Sequence, residues 1–361
     1  MADKVFVFGA GASVTTGTPL MKDFIDVAED LWRRHPGAVS KDDFELVFEL
    51  IQDRLPTLHA KSVVDLANIE SVFSLIEMGR LLGRLPATPA NEIPRAANAI
   101  RRILTDTVEL TCKFNVDRKG VWSPPTEYSR FVDKLFPSDR SPAPDSYAFL
   151  TFNYDVALDF ALRYRGIPTD YAFTDELGAG VPVLKLHGSL NWRVCADCGH
   201  LSSLDVLTAV KAFSNARARG ATSDAMPLRV SRVLGEITPQ CGHANDDVEP
   251  AIVPPTWNKT QYHLAFGPVW RRAAAEIAQA REITVIGYSL PKSDAFFRDL
   301  LALGLAGRTR LRKLTVVDPS PLVPKRFQRL LGPEIRRGFD PRQSTFADYV
   351  VDGPQPRVRS L

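Results

Sequence analysis

The sequence predicts an α/β fold, and three observations lead to it. Short runs rich in β-branched and aromatic residues recur along the chain, and helix-like segments such as residues 156–163 and 273–279 separate them. The chain of 361 residues is also longer than one ordinary domain. We therefore predict a Rossmann-like parallel sheet with a large helical insertion and a small cysteine-containing module. The predicted strands are Lys4–Phe8, Tyr147–Thr151, Val181–Leu186, Ile283–Ile286 and Leu314–Val317.

The composition is that of an ordinary globular protein, with 45% hydrophobic and 24% charged residues. The net charge of +3 favours no particular partner. The first residues lack a signal-peptide pattern, no apolar run approaches the roughly 18 residues of a membrane span, and four cysteines do not make a disulfide framework. We expect a cytoplasmic protein without membrane association. The basic stretches at 308–313 and 325–337 contain few aromatic residues, so we expect no direct nucleic-acid binding.

Two intervals between the predicted strands are too long for simple crossovers. Residues 34–146 contain segments such as DFELVFELIQ, whose apolar residues recur every three or four positions, as in amphipathic helices. Residues 191–249 hold three of the four cysteines. We expect residues 1–361 to form one catalytic domain, with 34–146 as a helical insertion and 191–249 as a zinc module.

Small and polar residues follow each predicted strand directly. The first strand is followed by GAGAS, the second by FNYD, the third by HGS, the fourth by GYSLP and the fifth by DPS. In an open parallel sheet, ligands bind beyond the carboxyl ends of the strands. The five segments are therefore predicted to converge on one site.

The glycine-rich segment after the first strand differs from the dehydrogenase fingerprint G-x-G-x-x-G. Gly9 and Gly11 fit that pattern, but Val14 occupies the third position. The acids at the expected distance, Glu29 and Asp30, lie in a helical segment rather than at a strand end. We predict a phosphate-binding turn whose backbone amides and Ser13 hydroxyl act as donors. A plain structural turn between strand and helix is the alternative.

The cysteine-rich interval resembles a structural zinc site, which needs four nitrogen or sulfur ligands. Thr238 stands where a second C-x-x-C pair would begin, so a histidine must supply the fourth ligand. The candidate ligands are Cys195, Cys198 and Cys241, with His243 or His200 as the fourth. A module that has lost its metal is the alternative. We expect Cys112, in the insertion, to be a small core residue.

Four motifs occur in a recognisable order: Gly9-Ala-Gly-Ala-Ser13 with Gly17-Thr-Pro19, Thr151-Phe-Asn-Tyr-Asp155, Leu186-His-Gly-Ser189 and Gly287-Tyr-Ser-Leu290. This ordered set resembles the sirtuin family, and the cysteines fall where sirtuins carry zinc. Protein-deacylating sirtuins continue their loop as Gly-Ile-Pro-Asp-Phe-Arg, whereas this chain continues Gly17-Thr-Pro-Leu-Met-Lys22. The segments FNYD, GYSLP and NIESVFSLIE instead resemble the sirtuin-like branch of prokaryotic antiphage defence systems. Members of that branch hydrolyse NAD beside a sensor such as a HerA-type ATPase or a short Argonaute.

The resemblance implies NAD as the substrate, a structural zinc ion and a set of site residues. His187 is the expected base, Asn153 is expected to hold a water or a ribose hydroxyl, and Asp155 to orient the nicotinamide carboxamide. Asp155 could instead cap the helix that follows it. Ser289 and Asp318 would face the phosphates and the adenosine ribose. The expected cofactor-binding residues are Gly9, Ala10, Gly11, Ala12, Ser13, Thr18, Pro19, Gly287, Ser289 and Asp318.

These features favour an NAD hydrolase that yields nicotinamide and ADP-ribose. An NAD-dependent protein deacylase and a non-catalytic nucleotide-sensing subunit are the alternatives. A serine hydrolase with Ser289 in a nucleophile elbow is excluded, because that arrangement needs a histidine after the serine and none follows His263. An unrestrained NAD hydrolase would be toxic to its host. We therefore expect control by a partner or by homo-oligomerisation, with the insertion as the contact surface.

Overall fold

The structure is a computed structural model that describes residues 1–60, 62–137, 146–195, 197–214, 225–236, 241, 243, 249–253, 263–291, 294–306 and 311–353. Thr238 and residues 308–310 of the first basic stretch lie outside the described residues. The described strands, in chain order, are β1 (Lys4–Phe8), β2 (Lys113–Val116), β3 (Trp122–Ser123), β4 (Tyr147–Thr151), β5 (Thr169–Asp170), β6 (Val181–Lys185), β7 (Trp192–Val194), β8 (Leu201–Ser203), β9 (Ala225–Pro227), β10 (Glu282–Ile286), β11 (Lys313–Val317) and β12 (Phe339–Arg342).

The described α-helices, again in chain order, are α1 (Phe24–Arg34), α2 (Lys41–Glu49), α3 (Ile69–Leu82), α4 (Ile93–Thr111), α5 (Thr126–Leu135), α6 (Ala157–Tyr164), α7 (Val206–Phe213), α8 (His263–Gln279), α9 (Ala295–Gly304), α10 (Leu322–Gln328), α11 (Pro333–Arg336) and α12 (Phe346–Asp352). Among the described residues, none of these helices is long and apolar enough to cross a membrane.

The central sheet has seven parallel strands in the order β12-β11-β10-β1-β4-β6-β5. All five predicted strands are confirmed: β6 ends one residue earlier than predicted, and β10 and β11 each begin one residue earlier. Their side chains are almost all buried, which is typical of a parallel sheet covered on both faces. The sequence did not predict the two edge strands, β5 and β12. Both are short and partly exposed, so neither forms an apolar run.

The strand register places the predicted motifs side by side. Phe8 pairs with Ile286 on one side and with Thr151 on the other, and Thr151 pairs with Lys185. Ile286 pairs in turn with Val317. The five central strands therefore end at the same level. Because they are parallel, the residues that follow them emerge along one edge of the sheet.

Apolar side chains cover both faces of the sheet. Val5 and Val7 lie on the face that packs against α8, α9 and α10, whereas Phe6 and Phe8 lie on the face that packs against α5, α6 and α12. The second face is rich in aromatic rings, including Phe6 and Phe131 in an edge-to-face contact with centroids 5.0 Å apart. This packing on both sides fixes the positions of the strand ends.

Residues 34–146 and the preceding α1 helix form most of a third core beside the sheet. The side chains of α1, α2, α3 and α4 pack together there. The apolar residues that made this interval a candidate contact surface, namely Leu46, Phe48, Leu50, Val72, Phe73 and Ile76, are all buried in that core. The interval is not wholly helical, since β2 and β3 also belong to it and form a small antiparallel sheet with β9. The domain limits remain a prediction.

Candidate functional site

A cleft of about 890 Å³ lies at the carboxyl edge of the sheet. Its volume is within the range of about 300–1,000 Å³ that is usual for small-molecule and cofactor sites. Residues that follow β1, β4, β6, β10, β11 and β12 all line it. The α3 and α4 helices contribute further residues from the insertion. The convergence that the sequence predicted is thus present in the structure.

The loops after β1 and β10 approach each other very closely. The amide of Gly11 donates to the carbonyl of Gly287 at 2.8 Å. A Cβ at Gly11 would lie 2.8 Å from the Cα of Gly287, and one at Gly287 would lie 2.4 Å from the nitrogen of Ala12. Because these distances are too short for any side chain, glycine is needed at both positions. The two motifs therefore form one rigid floor.

The loop after β1 forms two 3₁₀ turns, Ala10–Ala12 and Val14–Thr16, rather than the start of a long helix. The amides of Gly11, Ala12 and Ser13 donate to backbone carbonyls within the floor. The predicted role of Ser13 as a phosphate donor is not what the structure shows. Its hydroxyl is fully buried and donates to Oδ2 of Asp155 at 2.8 Å, because the loop turns this side chain inward.

Ser13 is the centre of a buried polar network. Its Oγ lies 2.8 Å from the hydroxyl of Tyr128 and accepts from Nδ2 of Asn153 at 3.0 Å. Since the Ser13 proton goes to Asp155, the Tyr128 hydroxyl must donate to Ser13. Ser13 thus uses its one donor and both of its lone pairs. The network ties the loop after β1 to the loop after β4 and to α5.

This network fixes the orientation of the Asn153 side chain. Nδ2 of Asn153 also donates to the carbonyl of Gly9 at 3.0 Å. A carbonyl can only accept, so the NH₂ group must point towards Gly9 and Ser13. The amide oxygen Oδ1 is then turned away from both of these partners. Asn153 lines the cleft, and its amide oxygen can only accept hydrogen bonds.

Both carboxylate oxygens of Asp155 accept hydrogen bonds from other groups of the protein. Its Oδ1 accepts from the amide of Ala157, the first residue of α6, at 3.0 Å, and its Oδ2 accepts from Ser13. Burial raises the pKa of Asp155, and the positive charge of Lys185 partly opposes this effect. Both oxygens are therefore engaged by the protein. This arrangement matches the helix-capping alternative and gives Asp155 a positioning contact with Ser13.

His187 lies two residues after β6 and lines the cleft beside aromatic rings. The Phe152 ring contacts it edge to face at 5.0 Å and stacks on Tyr288 at 4.2 Å. Nε2 of His187 lies 3.7 Å from Oδ2 of Asp294, which accepts from the Tyr288 hydroxyl at 2.5 Å. Asp294 is only 3% exposed. The His187 ring therefore lies within ion-pair distance of a buried carboxylate.

The far end of the cleft lies beyond β11 and β12. The carboxylate of Asp318 accepts from the amide of Ser320 at 2.8 Å, and burial raises its pKa against the opposing charge of Arg326. Nη1 of Arg326 donates to the carbonyl of Ser289 at 2.9 Å. This contact links the loop after β10 to α10. A carboxylate and a guanidinium can together recognise hydroxyl and phosphate groups.

The structure brings most of the predicted site residues together. Asn153, Asp155 and His187 line the cleft, as do Ala10, Gly11, Ser13, Thr18, Pro19, Gly287, Ser289 and Asp318. Gly9 and Ala12 are not among the residues that line the cleft. The Gly9 carbonyl accepts a hydrogen bond from the Asn153 side chain, and Ala12 is buried.

Sequence reasoning missed Tyr128, Tyr288 and Asp294. Asp294 could have been predicted as a site residue, because it is an acid only three residues after the GYSLP segment. Tyr128 had no such signal, because it lies in an amphipathic helix and reads as a core residue.

The cysteine module forms a compact ligand cluster. Potential ligand atoms of Cys195, Cys198, Cys241 and His243 all lie within 4.8 Å of one another. Cys195 directly follows the β7 strand, and its amide donates to the carbonyl of His200 at 2.9 Å. His200 thus contributes a backbone contact to this turn, whereas His243 completes the cluster.

The donor set and its spacing suit a structural zinc ion. Tetrahedral geometry, with Zn–S near 2.3 Å and Zn–N near 2.0 Å, places a sulfur and a nitrogen ligand about 3.5 Å apart. The Sγ of Cys195 lies 3.6 Å from Nδ1 of His243. Backbone amides, first that of Cys198, lower the pKa of Cys195 to about 6, against the opposing effect of burial. The four residues could hold zinc, which would act here as a structural cross-link.

No protein-family model matches the sequence. No curated protein matches it either. Among solved structures, a Sir2 homologue mutant in complex with 2'-O-acetyl ADP ribose is similar to 97% of this chain over 89% of its own length, at 13% identity and a TM-score of 0.41. Sir2Tm bound to a propionylated peptide is similar over 97% and 90% of the two chains, at 15% identity and a TM-score of 0.37. Both similarities are weak.

Proposed function

We propose that this protein hydrolyses NAD to nicotinamide and ADP-ribose. The observation that carries the proposal is the placement of Asn153 and His187 in one cleft. Asn153 has its amide locked by Gly9 and Ser13, and His187 lies beside a buried carboxylate. A locked amide oxygen can hold a hydroxyl or a water, and a histidine can accept a proton near neutral pH.

The chemistry makes modest demands on the protein. Nicotinamide leaves NAD as a neutral molecule, so the electron pair of the broken C1′–N bond needs no acid to receive it. The sugar passes through an oxocarbenium-like state, and the oxygen of a water then bonds to C1′. The water must lose one proton, and His187 is the proposed acceptor. Asn153 orients the ribose or the water, which is a positioning task worth several kcal/mol of activation energy.

The dimensions of the cleft are compatible with an extended dinucleotide. Four strand spacings separate β11 from β6 in the sheet order. Because neighbouring strands lie about 4.8 Å apart, this edge spans about 19 Å. We place the nicotinamide ribose beside Asn153 and His187. The adenosine ribose then lies near Asp318 and the pyrophosphate crosses the floor made by the loops after β1 and β10.

We further propose that hydrolysis serves antiphage defence by depleting NAD, and that a partner or self-association controls it. A HerA-type ATPase or a short Argonaute is the kind of partner that the motif resemblance implies. The proposal of control rests on toxicity, since an unrestrained hydrolase would harm its own cell. Light scattering combined with activity measured over a range of protein concentrations tests it. A strict monomer with full activity that does not respond to its genomic neighbour would contradict control by assembly.

The test of hydrolysis is release of nicotinamide from NAD, measured by chromatography with and without the product of the neighbouring gene. Asn153→Ala and His187→Ala should each lower turnover at least about 100-fold. Asn91→Ala and His35→Ala are matched controls, since both residues are exposed and neither lines the cleft. A wild-type protein that deacylates a peptide and leaves NAD intact without one would favour the deacylase. A protein that binds NAD without turnover under any condition would favour the sensor.

A further inference from the structure

We propose that Lys185, at the end of β6, is a positioning residue for this cleavage. Its buried ammonium group holds the loop that carries Asn153 against the strand that leads to His187. The inference rests on the proposed hydrolysis. Lys185 does not line the cleft, so it acts through the two loops and not on the substrate.

The two candidate catalytic residues stand at equivalent positions in the sheet. Thr151 pairs with Lys185 across β4 and β6, and each is the last residue of its strand. Asn153 lies two residues after Thr151, and His187 lies two residues after Lys185. The separation of their side chains depends on how the chain leaves this one pair. A contact that joins the two loops beyond the strands would fix it.

The Lys185 side chain supplies such a contact. Its Nζ donates to the carbonyl of Asp155 at 2.6 Å and to Oδ2 of Asp159 at 3.0 Å. Asp155 lies two residues after Asn153, and Asp159 belongs to α6. The ammonium group therefore ties β6 to the loop after β4 and to the helix that follows this loop.

The same polar network continues to the segment after His187. Oδ1 of Asp159 accepts from the Tyr171 hydroxyl at 2.7 Å, and that hydroxyl accepts from Nδ2 of Asn191 at 3.3 Å. Oδ1 of Asn191 accepts in turn from the Ser189 hydroxyl at 2.6 Å. Ser189 lies two residues after His187. The network thus anchors the chain on both sides of His187.

The burial of the ion pair favours a positional role. Lys185 is 0% exposed and Asp159 is 1% exposed. Taking two opposite charges out of water can cost more free energy than their attraction returns, so a buried ion pair is weak evidence for stability. Such a pair does fix a geometry, because each charged group must keep its hydrogen-bond partners. The geometry fixed here is that of the loops that carry Asn153 and His187.

The experiment replaces the ion pair by neutral side chains, in the assembly state in which the wild type is active. Lys185→Met/Asp159→Asn leaves no buried charge without its partner, and the asparagine can still accept from Tyr171. We expect a folded protein with kcat lowered about 10- to 100-fold, because a misplacement of about 1 Å can cost 100-fold. KM for NAD and the calorimetric affinity for ADP-ribose should change less than about threefold.

Lys313→Met/Asp340→Asn is the matched control. Nζ of Lys313 lies 3.0 Å from Oδ2 of Asp340, the same distance as in the buried pair, and neither residue lines the cleft. This pair joins β11 to β12, so the control makes the same two substitutions elsewhere in the same sheet. Its kcat should equal that of the wild type.

A folded Lys185→Met/Asp159→Asn protein with kcat within about threefold of the wild type would overturn the proposal. An equal loss of kcat in the control, or a loss of ADP-ribose affinity at constant kcat, would also overturn it. If the double variant fails to fold, Tyr171→Phe decides, because it removes the hydroxyl between Asp159 and Asn191. Its kcat should fall about tenfold at unchanged KM. Tyr164→Phe, at an exposed tyrosine of α6, is its control, and a normal kcat in Tyr171→Phe contradicts the proposal.

The failure of the underlying function gives a different result. A wild-type protein that releases no nicotinamide in any state removes both proposals. An active wild type with an equally active, folded Lys185→Met/Asp159→Asn variant removes this one alone.

Discussion

Ser13→Ala is the most direct test of the buried network behind the cleft. The substitution removes one oxygen atom and changes the side-chain volume very little. Three groups then lose a partner at once: Oδ2 of Asp155, the hydroxyl of Tyr128 and one N–H of Asn153. Ser13 is fully buried, so water cannot easily replace the missing hydroxyl. We expect a loss of stability and a loss of catalysis from the same change.

The magnitude follows from the groups that are left without partners. A buried polar group without its partner costs about 1–3 kcal/mol, and a hydrogen bond to a charged group is worth about 1.5–3 kcal/mol. The three losses share one site, so they are not additive, and we expect about 3–5 kcal/mol in the free energy of unfolding. That is a large part of the 5–15 kcal/mol that is typical of a folded protein. Turnover should fall at least about tenfold, because Asn153 loses one of the two acceptors that orient it.

Urea unfolding monitored by circular dichroism gives the stability, and nicotinamide release gives the turnover. Ser62→Ala is the control, because Ser62 is exposed. A Ser13→Ala protein within about 1 kcal/mol of the wild type, with normal turnover, would refute the reasoning. It would mean that the network tolerates the loss or that a water fills the space.

Three further predictions concern the metal site, the glycine floor and a helix cap. Metal analysis should find about one zinc per chain, with the zinc lost in His243→Ala and retained in His200→Ala; equal zinc content in both variants would contradict the assignment of His243. Gly11→Ala should lower the free energy of unfolding by about 1–3 kcal/mol in urea titrations, because its Cβ would lie 2.8 Å from the Cα of Gly287; a neutral effect would show that the floor can widen. Burial tends to raise the pKa of Asp205, but the hydrogen bond from Arg163 and its charge hold that pKa below its usual value. Asp205→Asn keeps the cap of α7 and loses this pairing, so we expect the variant to be less stable than the wild type at pH 7. This difference in stability should disappear as the pH falls through the lowered folded-state pKa of Asp205; a difference that persists at low pH would assign the effect to the cap.

The five central strands were predictable because each combines a short apolar run with burial on both faces. The edge strands were not, since Thr169–Asp170 and Phe339–Arg342 are polar and partly exposed. Their strand conformation comes from pairing with β6 and β11 rather than from their own composition. The small sheet of β2, β3 and β9 was missed for a related reason. β3 has only two residues, and β9 lies about a hundred residues after β2 in the sequence, so the pairing of β9 with β2 depends on the tertiary fold.

The site was predictable where topology alone brings residues together. Asn153, His187, Gly287 and Asp318 follow strands that end at one level, so their meeting follows from the parallel sheet. The choice between His200 and His243 depended on how the chain returns to the β7–β8 hairpin, which spacing does not encode. The role of Ser13 was also beyond the sequence, because a serine in a glycine loop can face a ligand or the core. In the structure, the two 3₁₀ turns direct the Ser13 side chain towards Asp155.

Tyr128 and Glu70 show why a site prediction from strand ends is incomplete. Both residues come from the interval between β1 and β4, and both lie on helices whose pattern reads only as core packing. Tyr128 supports the cleft from behind through Ser13, and Glu70 lines it from the insertion. The interval therefore does more than lengthen a crossover: it closes one wall of the cleft and completes the network that orients Asn153. A displacement of α3 or α5 against the sheet would alter the site without touching any residue of the strand-end motifs.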